Sequence, residues 1–137
     1  MPLGLFNAST IPALEQVVGF TQARHSVLAG NIANLDTPGY RVRDLSPELF
    51  ASRLQEALAA RKSGAPSGQP ANGMSRYQDP LSAAGHNLED LLYHDDSTGS
   101  LEKQIAAISK NQMQHNLALS IMTSQFRLLQ AAISERA

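Results

Sequence analysis

The sequence predicts a mainly α fold in which long N- and C-terminal helices form an antiparallel coiled-coil hairpin, with a short middle helix and an irregular Gly/Pro-rich loop segment between them. Leu101, Ile105, Ile108, Gln112, His115, Leu119, Met122, Phe126, Leu129 and Ile133 are spaced alternately four and three residues apart, as in a helix seam that meets another helix. Ile11, Leu14, Val18, Thr21, His25, Leu28, Ile32 and Leu35 repeat that spacing near the N-terminus. The stretch between the two series is long enough to carry the chain back, which makes the antiparallel hairpin the economical arrangement. Matched seams also allow pairing with a second copy.

The elements read as a single domain over 1–137. The first helix is predicted over 9–35, with Ser9 or Thr10 as N-cap and Pro12 in the first turn, where its missing N–H costs little. It would be roughly 40 Å long. Gly19 and Gly30 each weaken it by about 1 kcal/mol relative to Ala, so packing has to supply what propensity does not. Asp36-Thr37-Pro38-Gly39 ends it, because Pro38 disfavours helical geometry at Thr37 and Pro-Gly suits the centre of a type II turn. The stretch 36–61 is read as this turn and a short helix that Ser46 caps and Pro47 opens.

Over 62–98 the periodicity is lost amid Gly64, Pro66, Gly68, Pro70, Gly73 and Pro80, the composition of an irregular segment. Its end, with Leu88, Leu91, Leu92 and Tyr93, fits a turn of helix or a strand. The last helix is predicted over 99–136, with capping hydroxyls between Ser97 and Ser100 and Glu102 in the first turn, where the helix dipole favours a carboxylate.

Composition narrows function. Net charge is −1 with scattered Lys and Arg, so there is no basic stripe to neutralise a phosphate backbone and no nucleic-acid partner is expected. The absence of cysteine removes disulfides, thiolate metal sites and thiol nucleophiles together. The N-terminal stretch lacks a basic n-region, and its apolar run is too short for a cleaved signal peptide. No stretch approaches the roughly 18 apolar residues of a membrane span. G-x-S-x-G, H-E-x-x-H, phosphate-loop and dinucleotide-loop motifs are all missing. The expectation is a chain with no catalytic activity, cofactor, metal or small-molecule substrate. His25 and His115 fall on the seams as core residues, His94-Asp95-Asp96 cannot all face one ion, and Met113 and Met122 read as gap-fillers.

The corner after the first helix is the one place where polar groups gather. Asn31 and Asn34 lie on its last turn beside Thr37 and Tyr40. Their first task is to satisfy orphan backbone groups, with Gly39 at positive φ. Two amides, a hydroxyl and an exposed aromatic on one short corner would also form a platform for contacts with another subunit.

Asn31, Ala33, Asn34, Thr37, Pro38, Gly39 and Tyr40 match N-x-A-N-x-x-T-P-G-Y, and the chain thereby resembles the bacterial flagellar axial proteins, the rod and hook family. The terminal stretch Leu101 to Ile133 is similar to the last helix of its short proximal rod members. The resemblance implies a structural subunit of the basal-body rod, exported unfolded by the flagellar type III apparatus and assembled in the periplasm into the drive shaft between membrane ring and hook. It implies as partners other copies of the chain, a companion rod protein of FlgC type, and a membrane-ring adaptor of FliE type. Seam packing falls to Leu28, Ile32, Leu119, Met122, Phe126 and Leu129; the turn and subunit contacts fall to Asn31, Asn34, Thr37 and Tyr40. The rival readings are the companion rod protein itself and a cytoplasmic coiled-coil adaptor or export chaperone.

Overall fold

The computed structural model describes residues 9–63, 80–85, 88–95 and 100–135. In chain order these form α1 (Ile11–Ala33), β1 (Val42–Leu45), α2 (Pro47–Ser63), α3 (Pro80–Gly85), a 3-10 turn (Leu88–Leu91), β2 (Leu92–Asp95) and α4 (Leu101–Ser134). The fold is mainly helical with one small antiparallel sheet, which the sequence did not disclose at Val42–Leu45. That strand is only four residues long, and its partner lies about fifty residues further on, beyond the reach of local periodicity. Val42 pairs with Asp95, Arg43 with His94, Asp44 with Tyr93 and Leu45 with Leu92. The stretch that read as helix or strand is both in succession: α3, the 3-10 turn, then β2.

Helix ends follow local chemistry. Thr10 is the N-cap of α1, but its hydroxyl makes no capping bond; Pro in the first turn removes an N–H that would otherwise need one. Ser46 Oγ accepts from the Leu49 N–H at 3.2 Å, and Ser100 Oγ from the Lys103 N–H at 3.3 Å, so α2 and α4 have side-chain caps. α1 stops at Ala33, two residues before the predicted end. Beyond it the Tyr40 N–H donates to the Thr37 carbonyl at 3.1 Å and Gly39 has φ +76°. This is the predicted type II turn. Gly39→Ala is expected to destabilise the chain by about 1 kcal/mol, read as a lower urea midpoint.

α1 is packed on two sides, and the two sides differ in chemistry. One side, with Val17, Phe20, Ala23 and Val27, joins Leu45, Phe50, Leu54, Leu88, Leu91 and Leu92 in the main apolar cluster. Its centre is a parallel stack of Phe20 on Phe50, ring centroids 4.2 Å apart, a pairing worth about 1 kcal/mol beyond its buried area. A smaller cluster of Ala57, Leu81 and Ala84 closes the outer end of α2 against α3 and Ala13. The other side of α1 meets α4. Asn31 lies beside Gln104 and Thr21 beside Asn111 and His115, so the two helices run in opposite directions where they touch.

The row of α4 that faces α1 is offset from the evenly spaced apolar series. Gln104, Asn111 and Ala118, seven residues apart, are buried, with Ile108, His115, Met122, Gln125 and Leu129 half-buried between and beyond them. Leu101, Ile105, Leu119, Phe126 and Ile133 from the predicted seam are exposed, as is Met113 at 72 %. On α1, Ile11, Thr21 and Leu28 are buried as read, whereas Leu14, Val18, His25, Ile32 and Leu35 are half-buried. The cause lies in α1: its bulkiest apolar face is committed to α2 and the sheet, which leaves α4 a narrower face carrying Thr21 and Asn31.

Candidate functional site

Asn31 is the centre of the molecule's polar corner. Its side chain is fully buried, and it uses its complete hydrogen-bonding capacity, two donors and two acceptor sites. Nδ2 donates to the Arg43 carbonyl and to Gln104 Oε1 at 3.1 Å. Oδ1 accepts from the Tyr40 hydroxyl at 3.0 Å and from the Arg43 N–H at 3.1 Å. One amide thus ties together the end of α1, the turn after it, the start of the sheet and the first turn of α4. The subunit-contact platform read from the sequence is therefore corrected at its centre: Asn31 has no surface to offer, and Tyr40 is half-buried with its hydroxyl turned inward.

The remaining motif residues shape the outside of the corner. Asn34 caps α1, its Nδ2 donating to the Gly30 carbonyl at 2.8 Å, and its backbone carbonyl accepts from the Thr37 N–H at 3.0 Å. Thr37 Oγ1 reaches back to Asn34 Oδ1 at 3.4 Å. Ala33, Thr37, Pro38 and Gly39 are exposed and form the tip.

Two further polar ties pass without notice in the sequence. Arg24, 8 % exposed, forms a bidentate pair with Asp44 on β1, Nε to Oδ1 and Nη2 to Oδ2 both at 2.8 Å. The hydrogen bond to Asp44 holds the guanidinium even more firmly in its charged form. Planar fork-to-carboxylate geometry is the strong form of this contact, and with both side chains largely shielded, removing one partner leaves the other charge without compensation. Arg24→Met is expected to destabilise the chain by about 3 kcal/mol, with Arg24→Met/Asp44→Leu recovering most of that loss. Equilibrium urea unfolding of the two single variants and the double variant measures it.

The second tie is the ladder between α1 and α4. Asn111 Nδ2 donates to the Thr21 carbonyl at 2.8 Å, while Asn111 Oδ1 is buried without a partner among the described residues. Thr21 Oγ1 lies 2.9 Å from the Val17 carbonyl and 2.8 Å from His115 Nδ1. The hydroxyl has one proton; given to the carbonyl, it leaves the imidazole N–H to donate. Gln104 and Asn111, seven residues apart, were the available signal, two amides at heptad spacing, but Gln112, Gln114, Asn116, Gln125 and Gln130 on the same helix mask it.

Leu28 is buried at 1 % on α1, Ile32, Met122 and Leu129 are half-buried, and Leu119 and Phe126 stand 40 % and 47 % exposed on α4. Among the described residues no group of three metal-ligating side chains converges, and no helix is long and apolar enough to cross a membrane.

The segment that builds the corner also carries the family relationship. Residues 21–41, from Thr21 through Arg24, Asn31 and Tyr40, match the family described as flagella basal body rod protein. Over most of its length the chain is similar to the flagellar basal body rod protein FlgB of Salmonella typhimurium, 28 % identical over 120 residues, covering 82 % of this chain and 84 % of that one. The FlgB of Aquifex aeolicus is 26 % identical over 123 residues, covering 90 % and 91 %, and that of Proteus mirabilis 26 % over 129, covering 88 % and 90 %. The matched segment and these relatives together support a FlgB-type flagellar basal-body rod protein. Those relatives are structural rod proteins of a non-enzymatic family, and the likeness supports a structural basal-body rod subunit. The polar corner joins the two long helices and the small sheet.

Proposed function

We propose that this chain is a proximal rod subunit that helps transmit torque from the membrane ring to the hook, with α1 and α4 acting as an antiparallel coiled coil near the rod axis. The supporting observation is the outer face of α4. Leu101, Ile105, Leu119, Phe126 and Ile133 stand 40 to 70 % exposed along a helix of 34 residues, and large apolar side chains left exposed in this number on one element are of the kind that marks a protein–protein contact. The inner face of the same helix is held by hydrogen bonds to α1, so the outer row is free for neighbours. Those neighbours are other copies of the chain, a companion rod protein of FlgC type and a ring adaptor of FliE type. Ala33, Thr37, Pro38 and Gly39, at the exposed tip, make further subunit contacts.

Export unfolded through the flagellar type III apparatus fits the same composition. There is no cysteine to cross-link the chain, and the apolar clusters are small, which keeps the unfolding free energy within the modest range that threading requires. Fractionation tests the reading. The chain is expected to co-purify with detergent-extracted basal bodies; recovery only as a soluble cytoplasmic protein would instead identify an adaptor or export chaperone.

A further inference from the structure

An apolar groove of about 330 Å³ runs between α1, α2 and α4. Its three walls are Leu14 to Thr21, Pro47 to Leu54 and Gln114 to Ile121, the end residues of each seven positions apart, or about two helical turns. The lining includes Val17, Phe20, Phe50, Leu117 and Ile121, and Leu117 is 60 % exposed at its edge. A fourth helix laid in this groove would complete a bundle.

Resting on the rod reading above, we infer that the occupant is the far end of α4 from a second copy of the chain. Asn31 beside Gln104 and Thr21 beside His115 bring Ile11 roughly level with Gln125, so the segment from Phe126 to Ser134 reaches about 13 Å past the described start of α1. Phe126 and Ile133 project from this extension, 47 % and 70 % exposed and seven residues apart, the same two turns as the groove walls. The extension cannot turn back into its own groove, because α4 is one continuous helix from Leu101 to Ser134 and itself supplies the wall at Gln114 to Ile121.

The contact joins two different surfaces, so repetition gives an open chain of subunits and no closed dimer. Two anchors bury far less than the roughly 1,200 Å² of a stable pairwise interface. A single contact is therefore weak, and it holds only where many repeat.

Because the sequence has no cysteine, oxidative cross-linking reads the contact directly. Ala51, exposed in the groove wall, and Ile133 are each replaced, as Ala51→Cys and Ile133→Cys, in otherwise intact chains. The two sites are about 20 Å apart within one chain, too far for an internal disulfide. The expected results are a mixed disulfide between the two single variants at assembly concentrations, a ladder of covalent oligomers from the double variant, and loss of both on adding Phe126→Asp. An Ile133→Cys chain that links only to itself, or absence of the mixed product, overturns the inference. The rod reading is judged separately, by co-purification of the cysteine-free chain with basal bodies.

Discussion

Leu119→Asp is expected to abolish rod assembly and swimming while the purified chain unfolds at the same urea concentration as the parent. Leu119 is 40 % exposed in the single chain, so a carboxylate there stays hydrated, and substitutions at such positions usually change stability by no more than about 0.5 kcal/mol. In the assembled rod the same carboxylate would be taken out of water against an apolar neighbour, at a cost of several kcal/mol in every copy. Export is upstream of that step and should continue. Ile32→Asp is expected to give the same motility defect, but Ile32 is half-buried within the chain, so folding and assembly would fall together. Leu119 is the cleaner probe, and normal swimming by its aspartate variant would remove α4 from the assembly surface.

Asn31→Ala is expected to cost about 3 kcal/mol of unfolding free energy, read by urea or thermal denaturation followed by circular dichroism. Alanine removes four hydrogen bonds at once and leaves the Arg43 N–H and carbonyl, Gln104 and the Tyr40 hydroxyl to find other partners. Each buried group left unpaired costs about 1–3 kcal/mol, an amount that entering water reduces. The effect should extend well beyond the site, because the amide is where α1, the sheet and α4 meet. Asn31→Asp is the sharper comparison. It keeps the acceptor for Tyr40 and the Arg43 N–H but sets an acceptor against the Arg43 carbonyl and Gln104 Oε1, so it should be no better tolerated than alanine. A loss below about 0.5 kcal/mol in the alanine variant would mean that the corner holds without its central amide.

How much of this was legible in the residues depends on range. Caps and turns are local, and Ser46, Pro47, Ser100 and the Thr37 to Tyr40 turn could be read directly, down to the positive φ of Gly39. The N-x-A-N-x-x-T-P-G-Y pattern pointed to the family, and its residues cluster in space. What the pattern could not disclose was direction. Asn31 and Tyr40 look like surface polar groups in sequence, and only the arrival of Arg43 and Gln104 from other elements turns them inward.

The apolar seam of α4 was misplaced for a related reason. An apolar row at heptad spacing predicts that a helix has an adhesive face, but not which of several partners meets it. Within the chain α1 offers α4 Thr21 and Asn31, so Gln104 and Asn111 go inward and the leucine and phenylalanine row goes outward. The Arg24–Asp44 pair joins residues twenty apart through a strand too short to announce itself.

The joint between the two long helices is made of directional bonds, and that sets how it answers to force. Grease permits sliding, since one methyl group serves nearly as well as the next. An amide aimed at a carbonyl does not: shifting α4 by a single residue swings Gln104 and Asn111 about 100° around the helix, away from Asn31 and Thr21. The next alignment of the same row lies seven residues along, about 10 Å away, with no stable stop between. Such a joint has teeth, and an axial load must strip all of them before the helices can move past one another.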